Sequence, residues 1–141
     1  MWSLFKQNKI HQPKGIAIQP SPIQGLGVFA CTAFKPGTII ETAPVILMEQ
    51  EDKDFLQTTS LFSYYFVVND TKFPVALGLG FSSLYNHAYT ANAVYSISLK
   101  DASITIKACK AIVPGEEITL NYNGNPDDAT PVYFAPQINT L

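Results

Sequence analysis

Ten prolines and eight glycines interrupt this 141-residue chain at short intervals, and that punctuation constrains its fold more than any other feature. Both residues mark turns and sit badly inside regular elements, so the chain is cut into short pieces that suit a strand-rich domain. Pro20, Pro22, Gly25 and Gly27 make a turn-rich entry to a strand expected over Val28–Ala33. Lys35-Pro36-Gly37 and Pro114-Gly115 are turns whose proline and glycine each supply the backbone angle that their position needs. Short strands are expected at Thr38–Glu41 and Val45–Met48, on either side of Pro44, and at Glu117–Leu120.

Periodicity fills in the pieces. Tyr95, Ile97 and Leu99 alternate with Val94, Ser96 and Ser98, and Ile104 and Ile106 alternate with Ser103, Thr105 and Lys107. That period of two predicts a hairpin over Ala93–Ala108, with Lys100-Asp101 near its turn. Phe55, Leu56, Thr59, Phe62 and Phe66 recur at spacings of three and four, which predicts one helix from Glu51 to about Phe66. Asp52 and Asp54 would lie in its first turn, where carboxylates favour the helix dipole. Residues 78–92 are expected to be irregular. The sum is a mostly β domain of small sheets with one short helix.

Composition limits the function. Apolar residues make up 47% and charged residues 14%, enough for one buried core and far from a disordered composition. A formal net charge of −2 argues against a general nucleic-acid binder. Residues 1–9 lack a secretory pattern, and the longest apolar stretch, Phe73–Phe81, is too short to span a bilayer. The expectation is a soluble intracellular protein without membrane contact, cytoplasmic or associated with a nucleus or nucleoid. Cys31 and Cys109 lie 78 positions apart with no Cys-x-x-Cys pair, and His11 and His87 are the two histidines, so no zinc site is expected. A disulfide stays open; two separate thiols in a reducing compartment is the preferred reading.

Taken singly, the polar motifs are ordinary. Gly25-x-Gly27 lacks the third glycine and the flanking strand and helix of a dinucleotide fingerprint, and reads as a tight turn that also lets backbone approach a ligand. Asn86-His87 reads as a turn cap beside a satisfied histidine. No Gly-x-Ser-x-Gly elbow supports a hydrolase. Tyr122 precedes the turn dipeptide Asn123-Gly124 and reads as the end of a strand. Tyr64 and Tyr65 are adjacent, so one of them must point away from the core.

Their ordered conjunction says more. Gly25-Leu26-Gly27-Val28-Phe29-Ala30, Tyr85-Asn86-His87 and Gly115-Glu116-Glu117-Ile118-Thr119-Leu120-Asn121-Tyr122 resemble the three signature segments of SET-domain protein lysine methyltransferases. Ser21–Ala30 and Ala76–Phe81 are most similar to the small stand-alone viral enzymes that methylate histone H3. The resemblance places a SET domain over residues 15–125, an N-terminal extension over 1–14 and a tail over 126–141. It implies a β-clip-like fold with a C-terminal pseudoknot, and methyl transfer from S-adenosylmethionine to a lysine amine, leaving S-adenosylhomocysteine.

By position, the resemblance makes Tyr122 the catalytic tyrosine and Tyr65 a second catalytic tyrosine of the channel, with Tyr64, Tyr85 and Leu120 beside the substrate. Gly25, Leu26, Gly27, Asn86 and His87 would hold the cofactor, with no metal. Phe134, or else Tyr133, would stack on adenine. Leu120, aliphatic where pocket size affects methyl number, implies products beyond monomethyl-lysine. The family's usual Ser after Asn-His is Ala88 here, and its usual Asp before the tyrosine is Asn121. The implied partner is a lysine-bearing protein such as a histone tail or a basic DNA-associated protein, with no direct nucleic-acid contact and with a homodimer expected. The alternative is a catalytically impaired SET-fold module that binds a peptide or partner.

Overall fold

The computed structural model describes residues 13–132. Among the described residues nine strands carry the fold: β1 Ile16–Pro20, β2 Leu26–Ala30, β3 Ile39–Met48, β4 Tyr65–Val67, β5 Val75–Gly78, β6 Asn86–His87, β7 Ala93–Ser98, β8 Ser103–Ala108 and β9 Glu117–Leu120. One α-helix, α1 Gln50–Leu56, follows β3, and single 3-10 turns occupy Ser60–Ser63 and Ser82–Leu84. The strands join in the order β1-β2-β9-β7-β8-β3-β5-β4, with β6 added alongside β9. The domain is mostly β with one helix, as the punctuation predicts. No helix among the described residues is long and apolar enough to cross a membrane.

The turns form as their chemistry dictates. Gly37 and Gly115 have φ of 87° and 89° and each follows a proline. The bonds from Thr38 N–H to Lys35 C=O (3.1 Å) and from Glu116 N–H to Val113 C=O (3.1 Å) close both turns. The hairpin β7–β8 pairs Ala93 with Ala108 through Ser98 with Ser103, within the predicted bounds. Around it sits the core, in which Val28, Ile40, Ile104, Ile106, Ile118 and Leu120 are fully buried.

Four expectations are corrected. The two strands expected at Thr38–Glu41 and Val45–Met48 are one strand, Ile39–Met48. β3 pairs with β8 as far as Pro44 and with β5 from Val45 onward, so the proline sits where the strand changes partners. The helix predicted over residues 51–66 stops at Leu56. Thr58 and Thr59 turn their hydroxyls onto the carbonyls of Phe55 (2.8 Å) and Leu56 (2.9 Å), and Thr59 Oγ1 accepts from Leu61 N–H, which opens a 3-10 turn. Phe55 consequently points to solvent, 72% exposed. The strand expected over Val28–Ala33 runs instead over Leu26–Ala30; its ladder with β1 ends with the bond from Cys31 N–H to Gly15 C=O (2.7 Å), at a glycine with φ of 73°. Residues 78–92 also contain more order than expected, since β6 and a 3-10 turn lie within them.

One carboxyl lies inside the core. Glu41 is 1% exposed and stands on β3 beside a register irregularity between Ile39 and Glu41. Burial pushes its pKa up to about 7, against an opposing pull from the Phe81 and Ser82 backbone amides, neither of which reaches hydrogen-bond geometry. Folding therefore favours the protonated form. This contribution to stability is complete below about pH 4.5 and is lost as pH rises through about 7. Denaturant melts of Glu41→Gln, which carries no titrating proton there, should lack that decline between pH 5 and 8. An equal decline in the variant would assign the effect to another group.

Candidate active site

Tyr85-Asn86-His87 uses three consecutive residues for three different tasks. Tyr85 contributes its carbonyl, which accepts a 2.7 Å hydrogen bond from the Tyr122 hydroxyl. Asn86 contributes its amide, whose Nδ2 lies 3.1 Å from Gln24 C=O, 3.1 Å from Leu26 C=O and 2.8 Å from Glu117 Oε1. His87 contributes its ring, whose Nδ1 accepts from Tyr122 N–H at 3.1 Å. Burial holds the His87 pKa down, with a backbone bond to Leu120 opposing it, which suits a neutral ring with an open Nδ1. The arrangement works because β6 lies parallel to β9, with Asn86 opposite Thr119 and His87 opposite Leu120. Tyr122, just beyond β9, is thereby fixed at both its amide and its hydroxyl.

The Tyr122 ring faces a pocket of about 260 Å³ with an aromatic lining: Phe62, Tyr64, Tyr65, Phe66, Tyr85 and Tyr95 border it with Tyr122. Phe62 meets the edge of Tyr65 at 6.1 Å, and Phe66 packs against Tyr95 at 4.9 Å. Burial pushes the Tyr122 pKa up to about 12, with smaller contributions from nearby Tyr64 and Glu117. The side chain is thus a neutral phenol at physiological pH. Because its O–H is donated to the Tyr85 carbonyl, its oxygen can offer lone pairs to the pocket.

Of the residues expected beside a substrate, Tyr64 and Tyr65 both border the pocket, and Tyr85 borders it while only 2% exposed. Leu120 does not. It is fully buried within the core, because β9 is flanked by β2, β6 and β7 and its side chains are enclosed among them. The room that Leu120 was expected to leave for extra methyl groups is therefore not at the pocket. Tyr95 was missed as a site residue because its alternation marks it as one more core residue of the hairpin. Its hydroxyl in fact reaches toward Tyr122 C=O at 3.4 Å.

On the other side of β6 the organising group is the Glu117 carboxylate. It accepts from Asn86, and Ser21 Oγ lies 2.9 Å and 2.8 Å from its two oxygens. A Cβ on Gly27 would collide with Glu117 Oε1 and stand 3.1 Å from Asn86 Nδ2. The close approach that glycine permits is made at Gly27 by the protein itself. At Gly25 a Cβ would meet nothing within 4 Å, so the backbone there is open. Leu26, between them, is 52% exposed. Asn92 also escaped sequence reading: its amide donates to Glu117 C=O (2.9 Å) and accepts from Thr119 N–H (2.9 Å), extending the β9 ladder with a side chain.

The chain after Tyr122 returns to the pocket. Asn121 Nδ2 donates to Asp128 C=O (2.7 Å), Asn123 Nδ2 donates to Thr130 C=O (2.7 Å), and Val132 N–H donates to the Tyr89 hydroxyl (3.3 Å). Pro131 and Val132 complete the pocket wall. An amide at position 121 suits this contact, since a carboxylate could not donate to the Asp128 carbonyl. Tyr133 and Phe134 lie outside the described residues.

A family model for the SET domain matches residues 25–123, a span that contains β2, the Tyr85–His87 segment and Tyr122. The chain belongs to the SET-domain family. With membership goes the enzyme class, protein-lysine N-methyltransferase. This SET domain is 30% identical over 108 residues to a Schizosaccharomyces pombe histone-lysine N-methyltransferase, H3 lysine-37 specific, covering 76% of this chain and 72% of that protein. A Plasmodium falciparum protein described as a candidate histone methyltransferase has a crystal structure that matches with TM-score 0.64 at 29% identity, covering 79% of this chain and 95% of the other. A chain of an apo ctPRC2 assembly with mutated Ezh2 shares the fold, with TM-score 0.66 at 22% identity over 79% of this SET domain and 15% of that chain.

Proposed function

We propose that this SET domain transfers a methyl group from S-adenosylmethionine to the side-chain nitrogen of a lysine on a histone-like protein. The observation that carries the reading is the neutral Tyr122 hydroxyl, tied at 2.7 Å to the Tyr85 carbonyl and facing an aromatic pocket. The histone part rests on the substrates in the relatives' names and on the likeness of Ser21–Ala30 to small viral H3 enzymes. Such a substrate sets the place of action inside the cell.

The residues present fit the cofactor. The backbone at Gly25 is open, and the Asn86 amide draws the Gln24 and Leu26 carbonyls toward β6, which fixes the shape of the loop around it. Gly25, Leu26, Gly27, Asn86 and His87 would hold the group. When bound, it supplies a methyl that is already activated, so the protein's task is positioning. The parallel docking of β9 beside β6 and β7 supports a threaded C-terminal part.

The substrate lysine must lose a proton, since its ordinary pKa is ~10.4. Tyr122 does not take it as a phenolate, because its own pKa lies near 12. Loss of water around the amine in the pocket instead disfavours the ammonium. Once neutral, the amine can donate an N–H to the Tyr122 oxygen, leaving its lone pair to point along the channel.

The test is label transfer from methyl-labelled S-adenosylmethionine to purified core histones and to other lysine-rich proteins, with the modified residues identified by mass spectrometry. Label on defined lysines is expected. Cofactor binding without transfer to any protein would favour the impaired binding module instead.

A further inference from the structure

One hydroxyl organises the turn between β1 and β2. Ser21 Oγ accepts from the backbone N–H groups of Ile23 (2.9 Å) and Gln24 (3.3 Å). The same hydroxyl donates to the Glu117 carboxylate, whose two oxygens lie 2.9 Å and 2.8 Å away. Ser21 N–H closes the turn by donating to Gly25 C=O at 2.8 Å. Among the described residues, the side chains that donate to this carboxylate are Ser21 and Asn86, and Asn86 also holds the carbonyls of Gln24 and Leu26. Ser21 and Glu117 stand 96 positions apart, so their bond ties the turn to β9 rather than to its own neighbours.

The tie adds little to the core. Pro22 and Gly25 are exposed, and Ile23 and Leu26 are 50% and 52% exposed, so ordering this turn buries little apolar surface. Yet the chain gives up a side chain to make room for it, because a Cβ on Gly27 would collide with Glu117 Oε1. A serine, a carboxylate and a glycine thus fix the shape of an exposed backbone, and that backbone is open at Gly25. A loop already held in one form binds a ligand without the entropic cost of ordering itself. We propose that Ser21 and Glu117 are a pair of positioning residues for S-adenosylmethionine: their bond holds the 21–25 turn, and with it the Gly25–Gly27 backbone, in the form that takes the cofactor. The inference rests on the cofactor reading above and adds to it two residues that act through the loop rather than on the ligand.

The experiment is calorimetric titration with S-adenosylhomocysteine, which binds without reacting. It compares the wild type with Ser21→Ala, Ser21→Thr, Glu117→Gln and the double variant Ser21→Ala/Glu117→Gln, at a temperature where all are folded. Ser21→Ala should weaken binding about tenfold, because two loop amides lose their acceptor and the turn loses its tie to β9. Ser21→Thr keeps the hydroxyl and should restore most of the affinity. Glu117→Gln should also weaken binding, and the double variant should lose less than the product of the two single losses, since both act through one bond. A purely structural tie would lower the melting temperature and leave the affinity of the folded variants at the wild-type value, which would overturn the inference. So would a threonine variant as weak as the alanine one, or single losses that multiply in full in the double variant. The wild type separates the two levels. If it binds neither S-adenosylhomocysteine nor S-adenosylmethionine, the cofactor reading falls and this inference with it; if it binds and Ser21→Ala binds equally well, this inference alone is overturned.

Discussion

Tyr122→Phe should lower kcat for methyl transfer by about 10²–10³ while the protein stays folded. The phenol oxygen is the group on this chain best placed to orient an amine in the pocket, because donation of its proton to the Tyr85 carbonyl fixes the direction of the hydroxyl. Phenylalanine keeps the ring that packs on His87 at 5.2 Å, and keeps the amide that His87 Nδ1 accepts from. The structural loss is then one hydrogen bond and an unpaired Tyr85 carbonyl, a cost of about 1–2 kcal/mol. Turnover at saturating peptide, set against a thermal melt, separates the two effects. Retention of more than about a tenth of wild-type kcat would remove Tyr122 from the chemistry. The peptide KM should move little, since the aromatic walls that enclose the lysine are untouched.

The contrast between what the sequence discloses and what it hides follows the range of the interactions involved. The hairpin β7–β8, the two Pro-Gly turns and β9 are decided by neighbours a few residues apart, so period and turn chemistry find them. β4, β5 and β6 are two to four residues long, too short for a period to show, and β5 and β6 also take partners far along the chain in β3 and β9. The false helix over 57–66 arose because aromatic residues at spacings of three and four imitate a helical stripe. Threonine hydroxyls bonded to nearby carbonyls, and the run Tyr65-Phe66-Val67 with its strand-favouring side chains, decided against it.

The site divides along the same line. Tyr122, Asn86 and His87 are visible in the sequence because their motifs name them, although the motifs do not say that three successive residues aim in three directions. Tyr95 is invisible because a pocket-lining tyrosine in an alternating strand looks like a core residue. Asn121 stands out as a departure from the family pattern, and its purpose emerges only with the Asp128 carbonyl that it holds. Gly27 is legible as a position needing room, and the side chain that takes up the room of its missing Cβ is that of Glu117.

That last relation makes Asn86→Ala the most damaging single change expected for the fold around the site. Nδ2 is the donor shared by two loop carbonyls and a carboxylate oxygen, all at 3.1 Å or less. Alanine leaves all three short of a partner in a position where the side chain is 9% exposed and little water can replace it. Glu117 keeps Ser21, which limits the damage at the carboxylate, so a loss of about 3 kcal/mol is expected. For a domain of this size that lowers the melting temperature by roughly 10 °C. Asn86→Asp should be worse than alanine, because it places a second carboxylate against Glu117 and removes the donor as well. If the loop at Gly25–Gly27 also holds S-adenosylmethionine, the same alanine variant must bind the cofactor more weakly than its stability loss alone explains. Calorimetric titration at a temperature where the variant is fully folded isolates that part, and unchanged affinity there would confine Asn86 to a structural role.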